Sequence, residues 1–116
     1  MSLREAAARA RHDLGKYVAM QVRWVGVDGP PIELREALRS DLLRTRGGEG
    51  VAAVWASLRA PLAECGVERI DALVGQLAAA AVSLEKMDET TLRDTARAAL
   101  AVGEELRALA SRVKDD

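Results

Sequence analysis

The stretch DETTLRDTARAALAVGEELRALASRV, residues 88–113, decides the fold class. Its apolar residues recur at every third or fourth position, which is the spacing of an amphipathic helix with one buried face. Asp88 is a favourable N-cap, and Glu89 in the first turn suits the positive end of the helix dipole. The residues predicted to face inward are Leu92, Ala96, Ala99, Val102, Leu106, Leu109 and Val113.

The segment that precedes this stretch predicts a second long helix, from about Val67 to about Met87. Almost no loop separates the two helices, so we expect an antiparallel hairpin in which each helix exceeds twenty residues. The residues of the earlier helix predicted to face inward are Ile70, Leu73, Val74, Leu77, Ala81 and Leu84.

The N-terminal part of the chain predicts one further long helix, from about Ser2 to about Val25. Ser2 can cap this helix, and Glu5 stands three residues later, as in a capping box. One side of the helix is mainly apolar, and we expect this side to pack on the hairpin. It carries Leu3, Ala7, Ala10, Leu14, Tyr17, Val18, Gln21 and Val25.

Glycine and proline divide the middle of the chain. GVDGPP, residues 26–31, ends the first helix, and GGEG, residues 47–50, ends a second one that opens at Pro31. A third helix carries Trp55, and Pro61 is expected to disturb its last turn. No run alternates as a strand would, so the prediction is an all-α protein, an antiparallel bundle of four to five helices in one domain of residues 1–116.

The composition excludes several kinds of protein. With 17 basic and 18 acidic residues the formal net charge is −1, which argues against a general nucleic-acid binder and a polybasic membrane-surface protein. A single histidine and a single cysteine cannot build a zinc site, and no P-loop is present. We expect no cofactor, no metal, no nucleic-acid or membrane partner, and a cytoplasmic location.

One surface on the predicted first helix has the composition of a reactive site. His12 lies near the centre of its polar side, within RHDLGK, residues 11–16. Small residues surround it at helical spacing, although a glycine inside a helix costs about 1 kcal/mol relative to alanine. We therefore expect another protein's backbone to approach beside His12. The predicted docking residues are Ala8, Arg9, Gly15, Ala19 and Arg23, whose two arginines, together with Lys16, make the surface positive.

The chemistry that suits these residues is phosphoryl transfer through a histidine. A neutral imidazole, with an ordinary pKa near ~6.5, is a competent nucleophile at cytosolic pH. Transfer from an aspartyl phosphate requires in-line positioning and cations near the moving oxygens. We assign His12 as the phosphoacceptor and Lys16 as the cation beside the phosphoryl group, and we expect the partner to supply the acidic site and its metal ion.

The same residues resemble a known group of proteins. The sequence His12-Asp13-Leu14 resembles the start of the phosphoacceptor box of histidine-kinase dimerisation domains, in which an acidic and then an apolar residue follow the histidine. Gly15-Lys16 is similar to the Lys and Gly that follow the histidine in histidine-containing phosphotransfer domains, in the reverse order. Lys16-Tyr17 stands where the kinase box has a polar residue and proline. The resemblance implies that His12 is the phosphoacceptor and that Asp13 is its adjacent acid.

The sequence thus predicts a histidine phosphotransfer protein of a bacterial two-component phosphorelay, with a response-regulator receiver domain as its partner. It predicts no kinase activity for this chain alone, because an ATP-binding domain is absent from the sequence. The alternative is a non-catalytic helical adaptor, in which His12 is replaceable without loss of partner binding. We also expect a homodimer, because Trp24, Trp55 and the long helices offer more apolar surface than a small bundle buries.

Overall fold

A computed structural model describes residues 2–113, and the expected domain of residues 1–116 extends past them at each end. Within residues 2–113 there are helices and turns but no strands, which confirms the all-α prediction. The helices are α1 (Leu3–Ala10), a π-helix (Arg11–Gly15), α2 (Met20–Val25), α3 (Pro31–Leu43), α4 (Thr45–Gly48), α5 (Val51–Leu58), α6 (Glu68–Ala81) and α7 (Glu89–Arg112), with 3-10 turns at Ala60–Leu62 and Leu84–Lys86.

Helix α7 is the element on which most of the others pack. It runs for 24 residues, and the Asp88 carboxylate accepts a hydrogen bond from the Thr91 backbone N–H at 2.8 Å, as the N-cap prediction requires. Its predicted inward residues from Leu92 to Leu109 are buried, and α1, the π-helix, α2, α3 and α6 all contact it. No helix within residues 2–113 combines the length and the apolar character that a bilayer span requires.

Helix α6 is shorter than the sequence predicted. It ends at Ala81, and a 3-10 turn at Leu84–Lys86 leads to Asp88, so the prediction of a helix reaching Met87 is wrong. Arg35 of α3 holds this connection, because its guanidinium donates to the carbonyls of Leu84 at 2.9 Å and Met87 at 2.7 Å. These bonds satisfy carbonyls that a continuing helix would have used, and Leu84 is still buried. Arg35 therefore helps to hold the connection between α6 and α7 in its non-helical path.

The prediction of one continuous helix from Ser2 to Val25 is also wrong. Ser2 caps α1 as expected, accepting from the Glu5 backbone N–H at 3.0 Å, but α1 gives way to the π-helix at Arg11. The Lys16 N–H bonds to the Arg11 carbonyl, five residues earlier, at 3.0 Å. A turn over residues 16–19 follows before α2 begins. The register shifts across this break, so Gln21 is exposed although it was predicted to face inward.

The buried carboxylate of Asp41 allows a new helix to begin after the break. It lies on α3, is only 3% exposed, and accepts hydrogen bonds from the backbone N–H groups of Gln21 and Val22, both at 2.9 Å. Ala19, at the N-cap position of α2, has no side chain that could do this. Asp41 therefore caps α2 from another helix, and its desolvation raises its pKa to about 6 against the opposing effect of these hydrogen bonds.

Gly15 packs against α7 and is buried. A Cβ on Gly15 would lie 3.3 Å from Leu106 Cδ1, and a Cβ on Gly103 would lie 3.4 Å from the Gly15 carbonyl oxygen. The π-helix and α7 therefore approach each other through two glycines. Packing within the chain offsets the helix-propensity cost of Gly15, so the expectation that another protein's backbone fills this position is wrong.

The first prediction concerns the pH dependence of stability. Because the folded pKa of Asp41 is raised, its proton contributes stability that is fully present below about pH 4 and is lost as the pH rises through about 6. The pKa values of Asp13, Asp71 and Asp88 are lowered by hydrogen bonds to their carboxylates, so their contributions are lost only at lower pH. The free energy of unfolding should therefore fall, by at most about 3 kcal/mol, between pH ~4 and ~7.

Urea titrations across this pH range measure the effect directly. The Asp41→Asn variant should lose the dependence, because an amide does not titrate. If the variant and the parent show the same change in unfolding free energy between these pH values, Asp41 is not the group responsible.

The second prediction tests the contact between the π-helix and α7. Gly15→Leu should destabilise the fold by about 1–3 kcal/mol, because the added carbons have no room beside Leu106. Gly75 of α6 is the matched control, since a Cβ placed there would meet no atom within 4 Å apart from its chain neighbours and its own helix backbone. Gly75→Leu should stabilise the fold by about 0.5 kcal/mol through helix propensity. Thermal melting of both variants gives the comparison, and a Gly15→Leu variant at least as stable as the parent would contradict the packing.

Candidate functional site

His12 and Asp13 form a hydrogen-bonded pair on the exposed side of the π-helix. The His12 side chain is 66% exposed, and its Nδ1 lies 2.9 Å from Asp13 Oδ1. The hydrogen bond from His12 lowers the pKa of Asp13, so this carboxylate is ionised at neutral pH and can only accept. Nδ1 must therefore carry the proton. Nε2 of a neutral ring is then left with a free lone pair, and no residue within 2–113 hydrogen-bonds to it.

Two arginines hold the Asp13 carboxylate in place. Its Oδ2 lies 3.3 Å from Arg46 Nη1 and 3.6 Å from Arg9 Nε. Arg46 also contacts Glu49 at 2.6 Å and Ser57 at 3.0 Å, so its own position is fixed. Its backbone has a φ of 46°, a left-handed conformation that is uncommon outside glycine. Sequence analysis missed Arg46, because only the fold brings the turn after α3 beside residue 13.

Tyr17 connects His12 to Lys16. The rings of His12 and Tyr17 meet edge to face, with centroids 6.4 Å apart. Lys16 Nζ lies 5.6 Å from the centroid of the Tyr17 ring, which places its charge over an aromatic face. Lys16 and His12 therefore both contact the Tyr17 ring.

A cleft of about 620 Å³ opens beside His12, between the N-terminal helices and α7. We call it the cationic cleft, because it contains basic side chains and no acidic one. Its residues are Ala8, Arg11, His12, Gly15, Lys16, Arg23, Gly103, Arg107 and Ala110. Arg107 and Gly103 belong to α7. Sequence analysis did not predict them, because about ninety residues of chain separate them from the other residues of the cleft.

A second cleft, of about 480 Å³, lies on the other side of His12. Its residues are His12, Asp13, Tyr17, Met20, Arg44, Arg46 and Gly47. Because His12 and no other residue belongs to both clefts, its imidazole stands on the ridge between them. Arginine side chains therefore flank the exposed ring on both sides.

The structure brings most of the predicted site residues together and separates two of them. Ala8 and Arg9 are exposed as expected, and Lys16 and Arg23 lie with His12 on the cationic cleft. Gly15 and Ala19, however, are buried, whereas the sequence analysis placed them on the exposed side of the helix. Gly15 contacts α7 and forms part of the cleft, whereas Ala19 turns into the core where the chain leaves helical geometry, at φ −136° and ψ 23°.

Comparison with known proteins gives no relative for this chain. No protein-family model matches it, and neither the curated proteins nor the solved structures contain a match.

Proposed function

We propose that this chain is a histidine phosphotransfer protein, in which Nε2 of His12 accepts a phosphoryl group from a receiver-type partner and passes it on. The observation that carries the proposal is the Asp13–His12 hydrogen bond at 2.9 Å. It fixes the proton on Nδ1 and leaves the nucleophilic lone pair on the exposed nitrogen. A reactive nitrogen that faces solvent on a helical scaffold is what transfer between two proteins requires.

The transfer step is balanced without any proton leaving the ring. The Nε2 lone pair attacks the phosphorus of the partner's aspartyl phosphate, the N–P bond forms, and the bond from phosphorus to the carboxylate oxygen breaks. The leaving group is the partner's carboxylate. The ring becomes positively charged as the bond forms, and the ionised Asp13 beside Nδ1 stabilises that charge. The reverse sequence returns the phosphoryl group to a second carboxylate.

The surroundings of His12 are complementary to an acidic partner. The clefts on its two sides carry Arg11, Lys16 and Arg23 on one and Arg44 and Arg46 on the other. The partner that we expect is a receiver domain, which supplies an acidic site. Opposite charges of this kind speed association and orient the partner. Lys16, resting on Tyr17, is the cation assigned to the moving phosphoryl oxygens.

The third prediction is that His12 is the site of labelling. A receiver phosphorylated on its aspartate should transfer phosphate to the chain, giving an acid-labile, base-stable phosphohistidine. The His12→Gln variant should show no labelling, because the chain contains only one histidine. Its melting temperature should match the parent, since His12 is exposed and surface changes have small effects on stability. Labelling of His12→Gln at the parental level would exclude the proposal.

The fourth prediction separates the role of Asp13 from that of a surface charge. Asp13→Asn should slow transfer by about ten- to a hundredfold, because a neutral amide neither fixes the tautomer nor stabilises the charged ring. Asp94→Asn is the control, since Asp94 is an exposed aspartate of α7 that pairs with Arg97 away from the site. The measurement is the single-turnover rate of transfer from a phosphorylated receiver. Equal rates for the two variants would show that Asp13 does not act on His12.

A non-catalytic adaptor is the second candidate, and exposed apolar side chains favour it. Trp24 is 87% exposed and Ile32 is 75% exposed, although both would gain by burial against a partner. Trp55 does not contribute, because it is buried and its indole N–H donates to Asp71 at 2.7 Å. The homodimer predicted from the sequence would therefore have to use Trp24 and not Trp55. If no receiver labels the chain, the adaptor is the function that these exposed residues support.

A further inference from the structure

The positive charges of the cationic cleft have little compensation within the described residues, and Arg23 is near enough to the buried Asp41 for its charge to act against the raised pKa of that carboxyl. Arg11, Lys16, Arg23 and Arg107 form no ion pair with any acidic side chain in residues 2–113. Five arginines elsewhere each pair with a carboxylate, namely Arg39, Arg59, Arg69, Arg93 and Arg97. Arg35 and Arg112 instead donate to backbone carbonyls, so the cleft differs in gathering its cations on one surface. The chain as a whole has a formal net charge of −1. Four unpaired cations facing one concave surface therefore mark it as a place for an external anion.

The floor of the cleft is built to hold one of these cations in place. Arg23 Nη2 lies 3.4 Å from the Gly15 carbonyl oxygen, so its guanidinium reaches back across the π-helix. A Cβ on Gly103 would lie 2.9 Å from the same Nη2 atom, so the glycine lets the guanidinium rest directly against α7. Gly15 thus permits the close approach of the π-helix to α7, and Gly103 accommodates the position of Arg23. Arg107 stands on α7 one helical turn from Gly103.

We propose that the cationic cleft binds a small molecule through its diphosphate group. A single phosphate group carries about −1.5 to −2 charges at neutral pH, and a diphosphate group carries more negative charge, which suits a surface with four cations. A cleft of about 620 Å³ is larger than one phosphate needs and has the size of a small-molecule site. Arginine is suited to this ligand, because its planar guanidinium can donate two parallel hydrogen bonds to one phosphate.

The remaining surface of the cleft indicates how the ligand is recognised. Apart from its basic side chains and His12, the cleft contains only Ala8, Gly15, Gly103 and Ala110. No Trp, Tyr or Phe is among its residues, so a nucleobase could stack only on the His12 ring or on an arginine plane. The diphosphate group therefore provides the affinity, whether it is free or attached to a nucleoside. This site does not depend on phosphotransfer at His12.

Isothermal titration calorimetry with inorganic pyrophosphate, ADP and orthophosphate tests the proposal. Pyrophosphate should bind at least tenfold more tightly than orthophosphate, and its affinity should fall as salt is added. ADP binding more tightly than pyrophosphate would assign the site to a nucleotide, and the opposite order would assign it to free pyrophosphate. Equal, weak binding of pyrophosphate and orthophosphate would overturn the proposal, as would an absence of binding.

Variants on α7 distinguish a built site from general positive charge. Arg107→Ala should weaken pyrophosphate binding at least fivefold, whereas Arg97→Ala, on the same helix but paired with Asp94, should leave it unchanged. If Arg97→Ala and Arg107→Ala weaken binding equally, the cleft is not the site.

Discussion

The approach of the π-helix to α7 through Gly15 and Gly103 is the constraint on which the rest of the site depends. The tighter contact is at Gly15, where a Cβ would lie 3.3 Å from Leu106 Cδ1, and a Cβ on Gly103 would lie 3.4 Å from the Gly15 carbonyl oxygen. With the inner side of the π-helix fixed against α7, His12 is placed on the outer side and is exposed. The contact between these two elements also forms the floor of the cationic cleft, where Arg23 donates to the Gly15 carbonyl. Packing between two backbones thus determines where the reactive groups stand.

The charges around His12 fall into two neighbouring regions, one in which opposite charges compensate each other and one that is mainly positive. Asp13 is surrounded by His12, Arg46 and Arg9, so its negative charge is compensated and its carboxylate stays ionised. Across the ridge, the cationic cleft holds basic groups with no acidic partner. The first region orients the imidazole, and the second attracts anions to it. An ordered acid on one side and cations on the other are consistent with the phosphoryl transfer that we propose for His12.

The features that sequence analysis predicted correctly are those that depend on neighbouring residues. The N-cap at Asp88 and the apolar spacing from Leu92 to Leu109 gave α7, because cap and periodicity both lie within the helix. The break in the first helix could not be predicted, since the carboxylate that caps α2 belongs to Asp41, some twenty residues away. Gly15 was correctly noticed as unusual, but its neighbour is α7 and not another protein. Of the cations of the cleft, Lys16 and Arg23 were predicted from the sequence. Arg107 was not, because it lies beside them only in the folded chain.

The central claim is that Asp13 holds the His12 ring in the tautomer that leaves Nε2 free, and NMR of the ring nitrogens tests it most directly. The chain contains one histidine, so a long-range proton–nitrogen correlation spectrum shows a single imidazole. At about pH 8, above the ordinary histidine pKa, the neutral ring should show a protonated Nδ1 and a bare Nε2. A spectrum in which Nε2 carries the proton and Nδ1 is bare would contradict the claim, because the reactive lone pair would then face Asp13 and not the partner.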